Sequence, residues 1–339
     1  MKTKHFIIGA LAALAMSTTA FAQEVTLRLH QMLPAQATIP AKAIEPWAAK
    51  VQEESGGRIK VELYPAMQLG GQPPELYDQA KDGVVDLIWT VLGYTPGRFA
   101  KSEVFELPWM VTTGEATSVA FHKYVEANSM DEFAGVKVLC VHAHGPGLFH
   151  TKEVVSKLED LKGMKIRGGS RIINDLLTRL GAEPVGLPVP QVPEALSTGV
   201  ITGTTVPWEV TPSLKIAELV KNHTGFSGNH GLYTQTFGFT MNLDRYNSLP
   251  DDLKAIIDQN AGVETAREFG KVMDAGDAVG LKIAQDAGNN IVTLDEAETA
   301  RWKEASQPTI DKWIADVTAA GADGAALYEA ALAAVAAEA

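Results

Sequence analysis

Leu161-Lys162-Gly163-Met164-Lys165-Ile166-Arg167-Gly168-Gly169-Ser170 reads as a short strand over 164–166, an arginine at its end, two glycines, and a helix opening at Ser170. The strand behind and the helix start ahead fix Arg167 in place. A planar guanidinium held in this way takes a carboxylate through two parallel hydrogen bonds. The helix N-terminus beside it offers unpaired N–H groups and the positive end of a dipole. Two roles stay open for Arg167 at this level: a grip on the carboxylate of a small organic acid, or a structural ion pair within the chain.

Outward from this unit, strands and helices alternate. Val25-Thr26-Leu27-Arg28-Leu29-His30 and Ile59-Lys60-Val61-Glu62-Leu63-Tyr64 alternate apolar and polar residues, as half-buried strands do. Between them Ile44, Trp47, Ala48 and Val51 recur at helical spacing behind Pro40, and Gly56-Gly57 stops the helix. Pro73-Pro74 opens a helix that runs to Asp82-Gly83, and the apolar run 84–90 reads as a buried parallel strand. This order indicates an α/β domain with a largely parallel sheet.

Residues 136–141 form the next strand and lead into His144-Gly145-Pro146-Gly147, a change of direction suited to a crossing between domains. An extended piece over 148–151 and the Arg167 unit follow. Ile172, Ile173, Leu176, Leu177 and Leu180 make one apolar helical face. A loop and short helix over 189–199, strands over 200–206 and 234–242, a long helix over about 263–287, and a short strand over 290–293 come next. The rest is helical, with an alanine-rich tail from 325. The expected organisation is a first domain of 23–146 plus about 234–265 and a second of 147–233 plus about 280–300. A linking helix over about 263–287 and C-terminal helices over 301–339 complete it. Two α/β domains joined by more than one crossing form the two-lobed, flytrap-like fold of periplasmic binding proteins, with the ligand cleft between the lobes.

Residues 1–22 carry Lys2 and Lys4, an apolar run over 6–16, and Ala20-Phe21-Ala22 before Gln23, the pattern of a cleaved secretory signal peptide. The apolar run is too short to span a bilayer. Its removal leaves about 317 residues, enough for two domains, and moves the net charge from −12 to about −14. So acidic a surface argues against nucleic acid as a partner and requires a local positive site for any anionic ligand. Cys140, the only cysteine, lies in an apolar strand, so the exported chain depends on a hydrophobic core rather than on a disulfide.

In parallel sheets, ligands sit beyond the carboxyl ends of the strands. That rule selects the loop His30-Gln31-Met32-Leu33-Pro34 and the loop from Trp89 to Pro96, where Trp89 and Tyr94 either face a ligand or pack the core. His142 and His144 share a strand face, and His150 follows, which raises the question of a metal. No carboxylate or cysteine stands near them at a familiar metal spacing, so no metal is expected, and His144 is read as a polar contact near the hinge. The sequence has no nucleophile elbow, phosphate loop, dinucleotide fingerprint or His-Glu-x-x-His motif, so neither catalytic residues nor a cofactor are expected. An exported enzyme, or a module that presents an organic acid to a sensor, stays open as an alternative.

The order of several stretches resembles the DctP family, the solute-binding proteins of tripartite ATP-independent periplasmic (TRAP) transporters. The stretches are Tyr64-Pro65-Ala66-Met67-Gln68-Leu69-Gly70, Asp86-Leu87-Ile88, Phe105-Glu106-Leu107-Pro108-Trp109, Leu158-Glu159-Asp160 running on to Arg167, 192–203, and Asn242 onward to Leu249-Pro250. The resemblance covers nearly the whole mature chain. It implies a monomeric protein in the periplasm of a Gram-negative bacterium, binding a small organic acid and delivering it to small and large membrane subunits. It also implies that Arg167, which closes the Leu-Lys-Gly-x-Lys-Ile-Arg pattern, is the carboxylate clamp.

One departure narrows the ligand. Some relatives carry a second arginine in the glycine-rich turn, whereas His144-Gly145-Pro146-Gly147-Leu148-Phe149 has none. A second buried carboxylate would lack a partner, at a cost of several kcal/mol. The expectation is therefore a monocarboxylate, with flat aromatic acids suited to the rings of Trp89, Tyr94, Phe149, Trp208 and Phe237 and sugar acids also able to stack on them. His30, His144 and Glu209 are the expected polar contacts.

Overall fold

The computed structural model describes residues 24–338, so the segment read as a signal peptide lies outside the described residues. The strands are β1 (Val25–Gln31), β2 (Ile59–Tyr64), β3 (Leu87–Val91), β4 (Val136–Ala143), β5 (Leu148–Thr151), β6 (Lys165–Gly168), β7 (Glu183–Gly186), β8 (Gly203–Val206), β9 (Asn222–Phe226), β10 (Thr236–Asn242) and β11 (Asn290–Leu294). They form two sheets, ordered β2-β1-β3-β10-β4 and β11-β9-β5-β8-β6-β7, each the centre of one lobe.

Both sheets are parallel apart from one strand each. β10 runs antiparallel to β3 and β4, and β5 runs antiparallel to β8 and β9. These are the strands that follow a crossing. The parallel strands point their carboxyl ends toward the other lobe. A strand that enters from that side has to run the opposite way.

The sequence reading differs from the structure at particular strands. The strand expected over 84–90 is β3, Leu87–Val91. Gly83 takes φ +74° to end the preceding helix, and Val84 stays 55% exposed while its carbonyl accepts from the Arg28 guanidinium at 2.7 Å. β7 and β9 were not expected. β7 contains Pro184 and sits at a sheet edge, where a missing N–H does no harm. β9 is Asn222-His223-Thr224-Gly225-Phe226 and shows no apolar run. Its polar side chains are satisfied by groups distant along the chain, Asn222 donating to the Lys152 carbonyl (2.8 Å) and Thr224 to that of Val155 (2.7 Å). Arg167 stands within β6 rather than past its end, and Ser170 caps the helix Arg171–Arg179 by accepting from the Ile173 N–H at 3.3 Å.

The helix Val263–Asp286 links the lobes. On the first lobe it approaches the helix Gly114–Asn128 so closely that a Cβ at Gly270 would lie 2.4 Å from the Gly114 carbonyl oxygen. Asp274 accepts from the N–H groups of Gly114 (2.6 Å) and Glu115 (2.9 Å), placing a carboxylate at that helix's positive end. On the second lobe, Asp277 accepts from the Glu209 N–H at 2.7 Å. The helix Glu296–Ala319 also spans both lobes. It buries Trp302 among second-lobe side chains and Trp313 among first-lobe ones, with the Trp313 indole donating to the Ala100 carbonyl at 3.0 Å.

A Cβ at Gly280 would lie 2.0 Å from the Trp208 carbonyl oxygen, so side-chain-free backbone is needed where the linking helix meets the second lobe. Gly280→Ala is expected to destabilise the protein by about 1–3 kcal/mol, the usual effect of overpacking. Denaturant unfolding measures it; an unchanged midpoint would show that the helix does not seat this closely.

Candidate functional site

Strand β6 lies between β7 and β8, and this position buries Arg167 completely. Its Nε donates to the Leu187 carbonyl (2.9 Å) and one terminal nitrogen to that of Thr205 (3.1 Å). The other makes a longer contact of 3.4 Å with the Tyr94 hydroxyl, which itself accepts from the Val189 N–H at 2.8 Å. Tyr94 belongs to the loop after β3, so this contact crosses from one lobe to the other. All three partners are neutral. A guanidinium has five N–H donors. Two of them, one on each terminal nitrogen, have no partner among the described residues. Glu106, also fully buried, is held by the Thr236 N–H (3.0 Å) and hydroxyl (2.8 Å) instead. Arg167 thus makes no internal ion pair among the described residues.

Tyr94, which the Arg167 guanidinium contacts, lines a cavity walled by both lobes. The first lobe contributes Met32, Leu33, Trp89, Tyr94 and Phe237, and the second Val189, Val206, Glu209 and Val210; Met273 comes from the linking helix. His144 and Gln235 come from the two crossings. Trp89 and Phe237 are stacked, with ring centroids 5.1 Å apart and planes 5° apart, and both line the cavity. The cavity is narrow, about 30 Å³, so a ring enters only when the walls part. Tyr94 also lines a wider hollow of about 260 Å³, together with Gly169, Ser170, Arg171 and Pro188. The Arg171 guanidinium there is already paired with Glu103.

The cavity's polar groups are few. Burial lowers His144 to about 4, so its ring is neutral at pH 7. Its Nδ1 donates to the Gly145 carbonyl (2.5 Å) and its Nε2 accepts from the Gln235 N–H (3.0 Å). Burial, reinforced by nearby Asp277, pushes Glu209 up to about 8. One carboxyl oxygen of Glu209 and the side-chain nitrogen of Gln235 are buried without a hydrogen-bond partner. No lysine or arginine is among the lining residues, so the fixed positive charge here comes from Arg167.

Of the expected site residues, the structure gathers Trp89, Tyr94, His144, Glu209 and Phe237 around one cavity, which Arg167 reaches through its contact with Tyr94. Three others lie elsewhere. His30 turns to the outer side of β1, where it bonds Gln79 (2.7 Å) and the Leu69 N–H (3.3 Å). Met32 and Leu33, from the same loop, face the cavity instead. Phe149 is core, its ring 5.5 Å from that of Trp302, because the alternation of β5 turns it under the helix Glu296–Ala319. Trp208 packs on His150 (5.0 Å) and His223 (4.8 Å), leaving its neighbour Glu209 to enter the cavity. His142 accepts from the Trp89 indole at 2.8 Å and thereby orients that ring. Gln235 and Met273 were missed. A glutamine between two threonines and a methionine on a long helix carry no signal that separates lining from packing.

The profile of the DctP family, described as bacterial extracellular solute-binding protein, family 7, matches residues 30–316. A TRAP solute-binding protein from a marine metagenome, specific for aromatic acid ligands and solved with 3-hydroxybenzoate, is 48% identical with a TM-score of 0.91, over 93% of this chain and 99% of that one. One from Rhodoferax ferrireducens, in complex with copurified benzoate, is 46% identical with a TM-score of 0.91, over 92% and 98%. The C4-dicarboxylate-binding periplasmic protein of Rhodobacter capsulatus is 25% identical, over 90% of this chain and 92% of that one.

The raised Glu209 has a consequence for stability. Its usual value is 4.5 and its folded value about 8, so the unfolded chain gives up the proton first. The contribution of the protonated group is complete below about pH 4.5 and is lost as pH rises toward 8. Asp277 and Glu103, each raised to about 7, act in the same sense. His142 and His150, lowered to about 3, His144 and His223, lowered to about 4, and His30 and His122, also lowered, act oppositely until the unfolded imidazoles have lost their protons, about a unit above their usual 6.5. Thermal melts of the ligand-free protein from about pH 7.5 to 8.5 therefore report mainly on the carboxyls, and the melting temperature is expected to fall across that window. The fall should be shallower in Glu209→Gln; equal slopes would show Glu209 already ionised in the folded protein.

Proposed function

We propose, from the premise that this chain belongs to the DctP family of bacterial extracellular solute-binding proteins, that its cleft captures a small aromatic monocarboxylate through Arg167. The chain is a TRAP-type solute-binding protein, and its work is to bind an organic acid for membrane subunits rather than to catalyse a reaction. The observation that carries the ligand reading is the buried guanidinium of Arg167. Its partners are all neutral, two of its N–H groups have no partner among the described residues, and the Tyr94 it contacts lines a cavity that Trp89 and Phe237 also line. A buried charge needs a counter-charge, and a carboxylate fits two N–H donors on neighbouring nitrogens. Gln235, with an unpartnered side-chain nitrogen on the same cavity, supplies a further donor. The relatives solved with benzoate and 3-hydroxybenzoate, at 46% and 48% identity, support an aromatic acid.

The lobes part to admit the acid and close on it. The apolar core already runs without a break from Trp89 and Phe237 to Val189 and Val206, which is the closed arrangement. Closure removes water from the ion pair and strengthens it. We assign the lobes to residues 23–146 with about 234–265 and to 147–233 with about 280–300. Residues 1–22 direct export to the periplasm, and the protein acts there as a monomer without nucleic acid. The closed form hands the acid to the small and large membrane subunits.

A thermal-shift screen over aromatic, keto, sugar and dicarboxylic acids identifies the ligand class, because a tight ligand raises the melting temperature by mass action. Aromatic monocarboxylates are expected to give the largest shifts. Arg167→Ala should weaken binding by about 3–5 kcal/mol, and Arg167→Lys should also bind poorly, since an ammonium cannot supply a fork. Calorimetry showing wild-type affinity in either variant would remove Arg167 from the site.

A further inference from the structure

We infer that Glu209 reads the substituents of the ring, its free carboxyl oxygen selecting aromatic acids that carry a ring hydroxyl over unsubstituted ones. The inference rests on the aromatic-acid reading of the cleft. Glu209 is 4% exposed and lines the cavity, and its Oε1 has no hydrogen-bond partner among the described residues. A buried acceptor left unpaired is costly, and nearly all such atoms in folded proteins find a partner. A donor on the bound molecule supplies one here.

The carboxyl is placed by the frame around it. Arg167 and Glu209 are both set by the β8 segment: the Thr205 carbonyl holds the guanidinium, and four residues later the chain brings Glu209 into the cavity. Asp277 accepts from the Glu209 N–H (2.7 Å), and the Thr38 hydroxyl donates to the Glu209 carbonyl (3.3 Å). A Cβ at Gly276 would lie 2.6 Å from the Glu209 Cγ, so the linking helix leaves the side chain just enough room. Arg167 and Glu209 share no hydrogen-bond partner. Glu209 lines the cavity with Trp89, Val206, Phe237, His144 and Gln235, and Arg167 reaches it through its contact with Tyr94.

The chemistry of the two points differs. Arg167 takes the carboxylate. The unpaired carboxyl oxygen at the other point takes a donor. Burial and Asp277 keep Glu209 largely uncharged at pH 7, so it does not repel the incoming anion, and its carbonyl oxygen still accepts. A phenolic O–H is the simplest donor on an aromatic acid.

Calorimetric titration of the full chain with benzoate, the 3- and 4-hydroxybenzoates and the matching fluorobenzoates tests this. Fluorine has similar size but donates nothing. In the wild type, at least one hydroxy acid should bind ~10-fold or more tightly than its fluoro counterpart, the size of effect expected for one buried hydrogen bond. In Glu209→Ala that gap should close. Glu209→Met, which keeps the volume without the acceptor, serves if the alanine variant fails to fold. Equal affinity of hydroxy and fluoro acids in the wild type, or a gap that persists in either variant, overturns the role of Glu209 and leaves the aromatic-acid reading standing. A wild type that binds none of these acids sinks both.

Discussion

A guanidinium without an anion beside it cannot be buried cheaply, and this constraint organises the molecule. Arg167 lies in the middle of a sheet, between β7 and β8, with no water-facing side. Two backbone carbonyls and a tyrosine hydroxyl orient it without neutralising it. One of those partners, Tyr94, comes from the opposite lobe, so the same side chain also ties the two lobes together.

The surroundings keep this charge unopposed. The chain carries a net −12, yet its buried acids near the cleft are raised well above their usual range, Glu209 to about 8 and Asp277 to about 7. The buried histidines are pushed the other way, His142 to about 3 and His144 to about 4. Burial, the first cause in each case, makes them all largely or partly neutral near pH 7. An acidic protein thereby keeps the buried groups around Arg167 close to neutral.

The sequence made much of this legible, and its failures have physical reasons. Arg167 was readable because a strand, two glycines and a helix cap pin it in place, and each leaves a local mark. Trp89 and Phe237 were readable because they lie on strands, and Tyr94 because it follows one. Phe149 misled for the opposite reason. An aromatic on a short buried strand faces one side or the other according to register, and register is set by distant partners such as Thr205. His30 misled in the same way, its side decided by Gln79. β9 was invisible because its polar residues bond across the fold, asparagine and threonine to carbonyls and histidine to the His150 and Asn289 side chains, partners that only the folded chain brings near. Gln235 left no mark, since its meaning depends on a cavity assembled from both lobes.

The position of β10 bears on how the chain matures. It is an inner strand of the first sheet, flanked by β3 and β4, although the whole Leu148–Phe226 run of the second lobe is threaded between β4 and it. While the polypeptide emerges from its N-terminus, β3, paired only with β1, and β4, with no neighbour in the sheet, therefore expose unpaired edges until residue 242 is free. Pairings so far apart along the chain are slow to form, and open edges invite association with other chains. The late arrival of a central strand makes nascent protein vulnerable to aggregation over most of its length, and that vulnerability ends when a single segment docks.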